Sequence, residues 1–254
     1  MERNEREREM SPAERRRRME ARRRRQKERE RKRRIRMMIL IGGGILVLAI
    51  LGLIIFGIVR LVSGGGKAKE ISAKGDTFVI AIDAGHGGED IGQSNGDTVE
   101  KNVTFDIASK LKTMLEGQGC QVVMIREDDT RIAKEDRALK ANESGADLLV
   151  SIHGGYSDDT GASGAISYYK KGNAQSQYLA ETVQKALVKE SGAMDGGTLE
   201  GSFSIIADTQ MPAILIEVGF LSNTEEAAKL FDDSYQNDLA KGIAKGIIMS
   251  LKES

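Results

Sequence analysis

"TFVIAIDAGHGGED", residues 77–90, starts as an apolar, β-branched run and stops at a histidine set among glycines. An apolar run of this length bounded by turn residues reads as a short buried strand. Glycines 85, 87 and 88 permit positive φ and close approach of the backbone to a ligand; they suit a plain strand-to-helix turn equally well. The same strand signal returns along the chain in "QVVMI" (121–125), "ADLLVSIH" (146–153), "GAISYY" (164–169), "FSIIA" (203–207) and "AILIEVGF" (213–220). Between these runs, "NVTFDIASKLKTMLEGQG" (102–119), "RIAKEDRALKANESG" (131–145) and "AQSQYLAETVQKALVKESG" (174–192) have helical periodicity and close on glycine. One or two further helices are expected across "TEEAAKLF" (224–231) and "YQNDLAKGIAKGIIMSLK" (235–252). Strands alternating with helices predict an α/β domain, a mostly parallel twisted sheet with helices on both faces.

This domain, residues 77–254, is preceded by segments of different character. The formal charge of zero hides an asymmetry: residues 1–36 hold 18 Lys/Arg against 8 Asp/Glu, and the remainder is acidic by the same margin. From Met37 to Val59, 23 residues carry no charge. As a helix they would measure roughly 34 Å at 1.5 Å per residue, enough for about 30 Å of hydrocarbon. No polar stripe marks a soluble helix, and no small-x-small site follows as in a cleaved signal peptide. One transmembrane helix is expected over 37–62, then a flexible linker over 63–76. The arginine excess on the N-terminal side of the membrane span places residues 1–36 in the cytoplasm and residues 63–254 outside. A nucleic-acid role for the basic segment is disfavoured: it lacks aromatics, mixes glutamate with arginine and abuts the span, where anionic lipid accounts for it. The single cysteine, Cys120, can form no intramolecular disulfide and reads as a small apolar residue.

Ligand sites of open α/β sheets lie beyond the carboxyl ends of the strands. His86 follows the first strand, His153 ends "ADLLVSIH", and Glu217 is expected at the carboxyl end of the strand in "AILIEVGF". Glu100 stands at an expected helix start, in "TVEKNVTF". Both histidines of the chain thus fall on one edge of the sheet. Two neutral imidazoles and a carboxylate are a ligand set for catalytic zinc, which keeps a position open for water and lowers its pKa to about 7. A further carboxylate can then move the proton. Each residue alone has a plainer reading: a core histidine, a loop histidine, an acid favoured by a helix N-terminus. Spacings of 14, 53 and 64 residues give no compact zinc motif, and a phosphate loop is disfavoured by the absence of GxxxxGK[ST].

Four segments carry a resemblance. "IDAGHGGEDIG" (82–92), "VEKNVTFDIASKL" (99–111), "DRALKANESGADLLVSIH" (136–153) and "MPAILIEVGFLSN" (211–223) resemble, in order, the zinc-dependent N-acetylmuramoyl-L-alanine amidases called amidase type 3, over residues 78–252. The resemblance implies one zinc ion on His86, Glu100 and His153, with Glu217 as the catalytic glutamate. It implies peptidoglycan as partner and substrate, cut at the amide between N-acetylmuramic acid and the L-alanine of the stem peptide. Asp83 and Ser151, near the ligands in sequence, are the expected acceptors for the imidazole N–H groups. Departures stand at "GGY" (154–156), where the family usually has Ala-Asn-Ala, and at "DGGTLEGSFSIIADTQ" (195–210), which lacks the arginine often found there. They support an alternative, a membrane-anchored peptidoglycan-binding module or scaffold with weak or no catalysis. Some relatives house an occluding helix after the second zinc histidine; "GGYSDDTGAS" (154–163) is too short for one.

Overall fold

Val79–Ala84 forms strand β1 because its apolar, β-branched residues are buried on both faces of a sheet. The structure is a computed structural model that describes residues 71–251 except residue 76. The expected basic segment 1–36, the span 37–62 and most of the linker lie outside the described residues. Among the described residues, no helix is long and apolar enough to cross a membrane.

After β1 come a small hairpin, β2 (Ser94–Asn95) and β3 (Thr98–Val99), helix α1 (Glu100–Glu116), β4 (Gln121–Met124), α2 (Lys134–Glu143) and β5 (Leu148–Gly155). Next are β6 (Ala165–Lys170), α3 (Ala174–Ser191), β7 (Asp195–Gly201), α4 (Ser204–Ala207), β8 (Ala213–Phe220), α5 (Thr224–Phe231) and α6 (Asp233–Ser250). The main sheet has the order β4-β1-β5-β8-β6-β7. Neighbouring strands are parallel except β6 and β8, which are antiparallel.

Alternation along each strand divides the core in two. Ile80 and Ile82, Leu148, Val150 and Ile152, and Ile214 and Ile216 pack with the apolar stripes of α1, α3 and α6. Ala81, Leu149, Ala213 and Leu215 face the other way, onto the shorter α2 and α4. The α/β architecture and helical cover on both faces agree with expectation. Cys120 packs half-buried against the larger core, and burial pushes its thiol pKa up.

Two expectations need correction. "FSIIA" is not a strand: Ser204–Ala207 is a one-turn helix in which the consecutive residues Ile205 and Ile206 are both buried on the α2 side, a placement strand alternation forbids. The strand in this region is β7, from "DGGTLEG". Its composition is poor for a strand, and pairing with β6 at the sheet edge overrides that preference. The strands β5 and β8 also run two and three residues past His153 and Glu217, so both residues lie within strands.

α3 and α6 pack closely enough to explain two glycines in a helix interior, where glycine costs about 1 kcal/mol against alanine. A Cβ on Gly242 would lie 2.6 Å from Leu187 Cα, and one on Gly246 would lie 2.4 Å from Val183 Cα. Gly246→Ala is therefore expected to destabilise the domain by ~1–3 kcal/mol despite its better helix propensity. Chemical denaturation measures this; an unchanged or raised midpoint contradicts the packing described.

Candidate active site

Register and parity bring the site together. Asp83 pairs with Ser151, and Ser151 with Leu215; one step on, His153 pairs with Glu217. Asp83, Ser151, His153 and Glu217 therefore share the face covered by α2 and α4. That face is thinly covered at its end, and a cleft of about 450 Å³ opens there. The hairpin β2–β3 turns the chain back so that α1 begins at Glu100, whose buried side chain enters the cleft from the opposite side.

His86 sits in the left-handed region at φ 63°, the only non-glycine residue with positive φ among those described. Such backbone is costly for a residue with a Cβ and persists only where its surroundings enforce it. Two arginines do so. Arg137 donates to Asp83 Oδ1 at 2.6 Å, to the Ala84 carbonyl at 2.8 Å and to the His86 carbonyl. Arg126 donates to the Ala84 carbonyl at 2.9 Å and to the Lys101 carbonyl at 2.8 Å, joining the loop to α1. Glycine is required where this loop meets the site. A Cβ on Gly85 would lie 2.5 Å from His153 Cε1, and one on Gly92 would lie 2.5 Å from Glu100 Oε2 and 2.7 Å from His86 Cδ2.

The imidazoles converge on one carboxylate oxygen. His86 Nε2 and His153 Nδ1 each lie 3.1 Å from Glu100 Oε1. The three ligand atoms fall within 4.8 Å of one another. The carboxylate is fixed by two backbone donors, Gly154 N–H to Oε1 at 2.9 Å and Gln93 N–H to Oε2 at 2.8 Å. Burial opposes its ionisation, but hydrogen bonds from His153 and then His86 outweigh burial and hold it well below the usual range. For His86, burial favours the neutral ring, and Glu100 and Asp90 together more than offset it. Two imidazole nitrogens and a carboxylate oxygen suit a divalent ion such as zinc, with room for further ligands on the cleft side.

The four residues singled out in the sequence all line the cleft, but the expected supports do not hydrogen-bond to the imidazoles. Asp83 is fully buried and ion-pairs with Arg137, and Ser151 donates to Asp83 Oδ2 at 2.7 Å; neither touches an imidazole. The acceptor for His86 Nδ1 is Asp90, at 2.8 Å, which leaves Nε2 facing Glu100. Its only sequence signal is that it follows His86 by four residues in a glycine-rich loop. Arg126 and Arg137 carry no such signal.

Glu217 lies beside this cluster, across the β5–β8 pairing from His153. Burial raises its pKa; a hydrogen bond from the Tyr168 hydroxyl at 3.2 Å and the charge of His153 only partly offset this.

The sequence and the fold match known proteins. The N-acetylmuramoyl-L-alanine amidase family matches residues 80–249. The chain belongs to that family. An amidase from Clostridium difficile 630 of known structure is 39% identical, with a TM-score of 0.67, covering 69% of this chain and 97% of that one. The germination-specific amidase of Bacillus subtilis is 34% identical over 69% of this chain and 80% of its own length. The amidase LytC of the same species is also 34% identical, over 66% of this chain but only 34% of its own length.

The amidase fold accommodates the departure at 154–156. A Cβ on Gly154 would lie 2.3 Å from Leu221 Cδ1, so the leucine fills the space that an alanine would need. The glycine keeps the backbone N–H that binds Glu100. Tyr156, 57% exposed, adds an aromatic wall to the cleft instead. Between β5 and β6 the described chain forms a turn and no helix.

Proposed function

We propose that the chain hydrolyses the amide between N-acetylmuramic acid and the L-alanine of the stem peptide in peptidoglycan. In this reading His86, Glu100 and His153 hold one zinc ion and Glu217 is the general base. Convergence of the three ligand atoms within 4.8 Å, beside a carboxylate raised by burial, carries the reading. Zinc, when bound, polarises a carbonyl oxygen and supplies water acidified to a pKa of about 7.

The chain's own groups supply the rest. Asp90 fixes the His86 ring with Nε2 aimed inward, and the backbone N–H groups of Gln93 and Gly154 fix Glu100. Glu217 takes a proton from the attacking water and returns it to the leaving amine nitrogen. A carboxylate raised toward neutrality suits both transfers. Tyr156 and Phe203 line the cleft and offer aromatic surface to a substrate. The experiment is a digest of purified peptidoglycan by the zinc-loaded chain: stem peptides should be released, and a chelator should stop the release.

We propose a location as well. Residues 1–36 lie in the cytoplasm, 37–62 cross the membrane, and the catalytic domain of 77–254 faces the wall through the linker 63–76. The charge asymmetry about the uncharged run supports it. Protease shaving of wall-stripped cells is expected to remove the domain. Full protection of the domain, with cleavage of an N-terminal tag, would reverse the orientation.

A further inference from the structure

Glu217 has one side-chain hydrogen bond among the described residues, from Tyr168. The strand geometry makes that contact specific. β6 runs antiparallel to β8, with Tyr168 opposite Leu215 and Ile166 opposite Glu217. Leu215 and Glu217 share a face, as do Tyr168 and Ile166, so Tyr168 is the diagonal neighbour of Glu217. A diagonal pair stands roughly 7–8 Å apart at the backbone, a distance only a long or aromatic side chain can close. Burial, with the Glu217 charge beside it, pushes the Tyr168 pKa up to about 12, so the hydroxyl stays protonated and donates.

Tyr168 is itself held. Its ring meets the Phe203 ring edge to face, with centroids 5.0 Å apart and an interplanar angle of 70°. Phe203 is 40% exposed and lines the cleft. Gly201 makes room for the pair: a Cβ there would lie 3.0 Å from Phe203 Cδ2 and 3.1 Å from Tyr168 Cβ. Phe203 thus has one part against Tyr168 and another open to whatever occupies the cleft.

We propose that Tyr168 is a positioning residue that aims the Glu217 carboxylate, and that Phe203 is a substrate-contacting wall that holds Tyr168 in place. The role rests on Glu217 being the general base. Its consequence is that occupancy of the cleft against Phe203 steadies the base through two contacts. Binding at that wall then contributes to kcat as well as to KM.

The test uses the zinc-loaded chain, a soluble muramoyl peptide and three variants. Tyr168→Phe keeps the ring against Phe203 and removes only the hydroxyl. It is expected to lower kcat by about 10- to 100-fold, the scale of a misplaced catalytic group, with KM and zinc content near parental. Phe203→Ala is expected to lower kcat and raise KM together. A second readout needs no turnover. In the metal-free chain the Glu217 δ-carbon resonance, identified by its loss in Glu217→Gln, should move in Tyr168→Phe. An unmoved resonance, or Tyr168→Phe at the parental kcat while Glu217→Gln is slow, overturns the positioning role alone. Glu217→Gln at the parental rate removes the base assignment and the positioning role with it.

Discussion

Glu217→Gln is expected to slow peptidoglycan hydrolysis by roughly 10²–10⁴, the scale of a lost general base, with the fold and zinc content intact. The substitution keeps the shape of the side chain and an acceptor for the Tyr168 hydroxyl. It removes the capacity to take a proton. The contrast with Glu100 sharpens the expectation. Glu100 is nearly fully buried, accepts two backbone N–H groups and faces both imidazoles. Those contacts hold it ionised, whereas burial raises Glu217. Two carboxylates in one cleft with pKa values driven apart are suited to different tasks. Glu100→Gln should therefore lose zinc, with activity partly restored by excess metal, whereas added zinc should do nothing for Glu217→Gln. Zinc content and initial rates for the two variants decide the matter; a parental rate in Glu217→Gln removes it as the base.

His86→Ala or His153→Ala is expected to lose bound zinc and hydrolysis together. Two remaining ligands cannot hold the ion as three do, because ligand number and geometry set affinity. The content should fall from about one ion per chain to a small fraction of that after dialysis. The fold should survive. His86 lies in a loop pinned by Arg126 and Arg137 through backbone carbonyls, and His153 lies in a strand whose ladder does not need its side chain. Circular dichroism and metal analysis on the same samples separate loss of metal from loss of fold. Stoichiometric zinc in either variant shows that its imidazole is not a ligand.

The sequence made the site legible where strand ends and helix starts coincide with rare residue types. The chain has two histidines, one after β1 and one in β5, and the strand pattern alone puts both on one edge of a parallel sheet. Glu100 was legible as a helix start and Glu217 as an acid in an apolar strand. The supports were not legible, because they depend on what crosses in space. Asp83 is close to His86 in sequence, yet its carboxylate is taken by Arg137 from α2, while Asp90 returns to His86 across a glycine turn. β7 was missed because its glycines and acids are poor strand formers, and only the neighbouring β6 makes a strand of them. "FSIIA" was misread because a β-branched pair satisfies a strand pattern and a buried one-turn helix alike.

End-group analysis of peptidoglycan digested by the zinc-loaded chain tests the central claim most directly. The account predicts new N-terminal L-alanine on released stem peptides, no new reducing sugar ends, and loss of both product and rate on adding a chelator. New reducing ends, a different N-terminal residue, or undiminished release in the presence of chelator would contradict it.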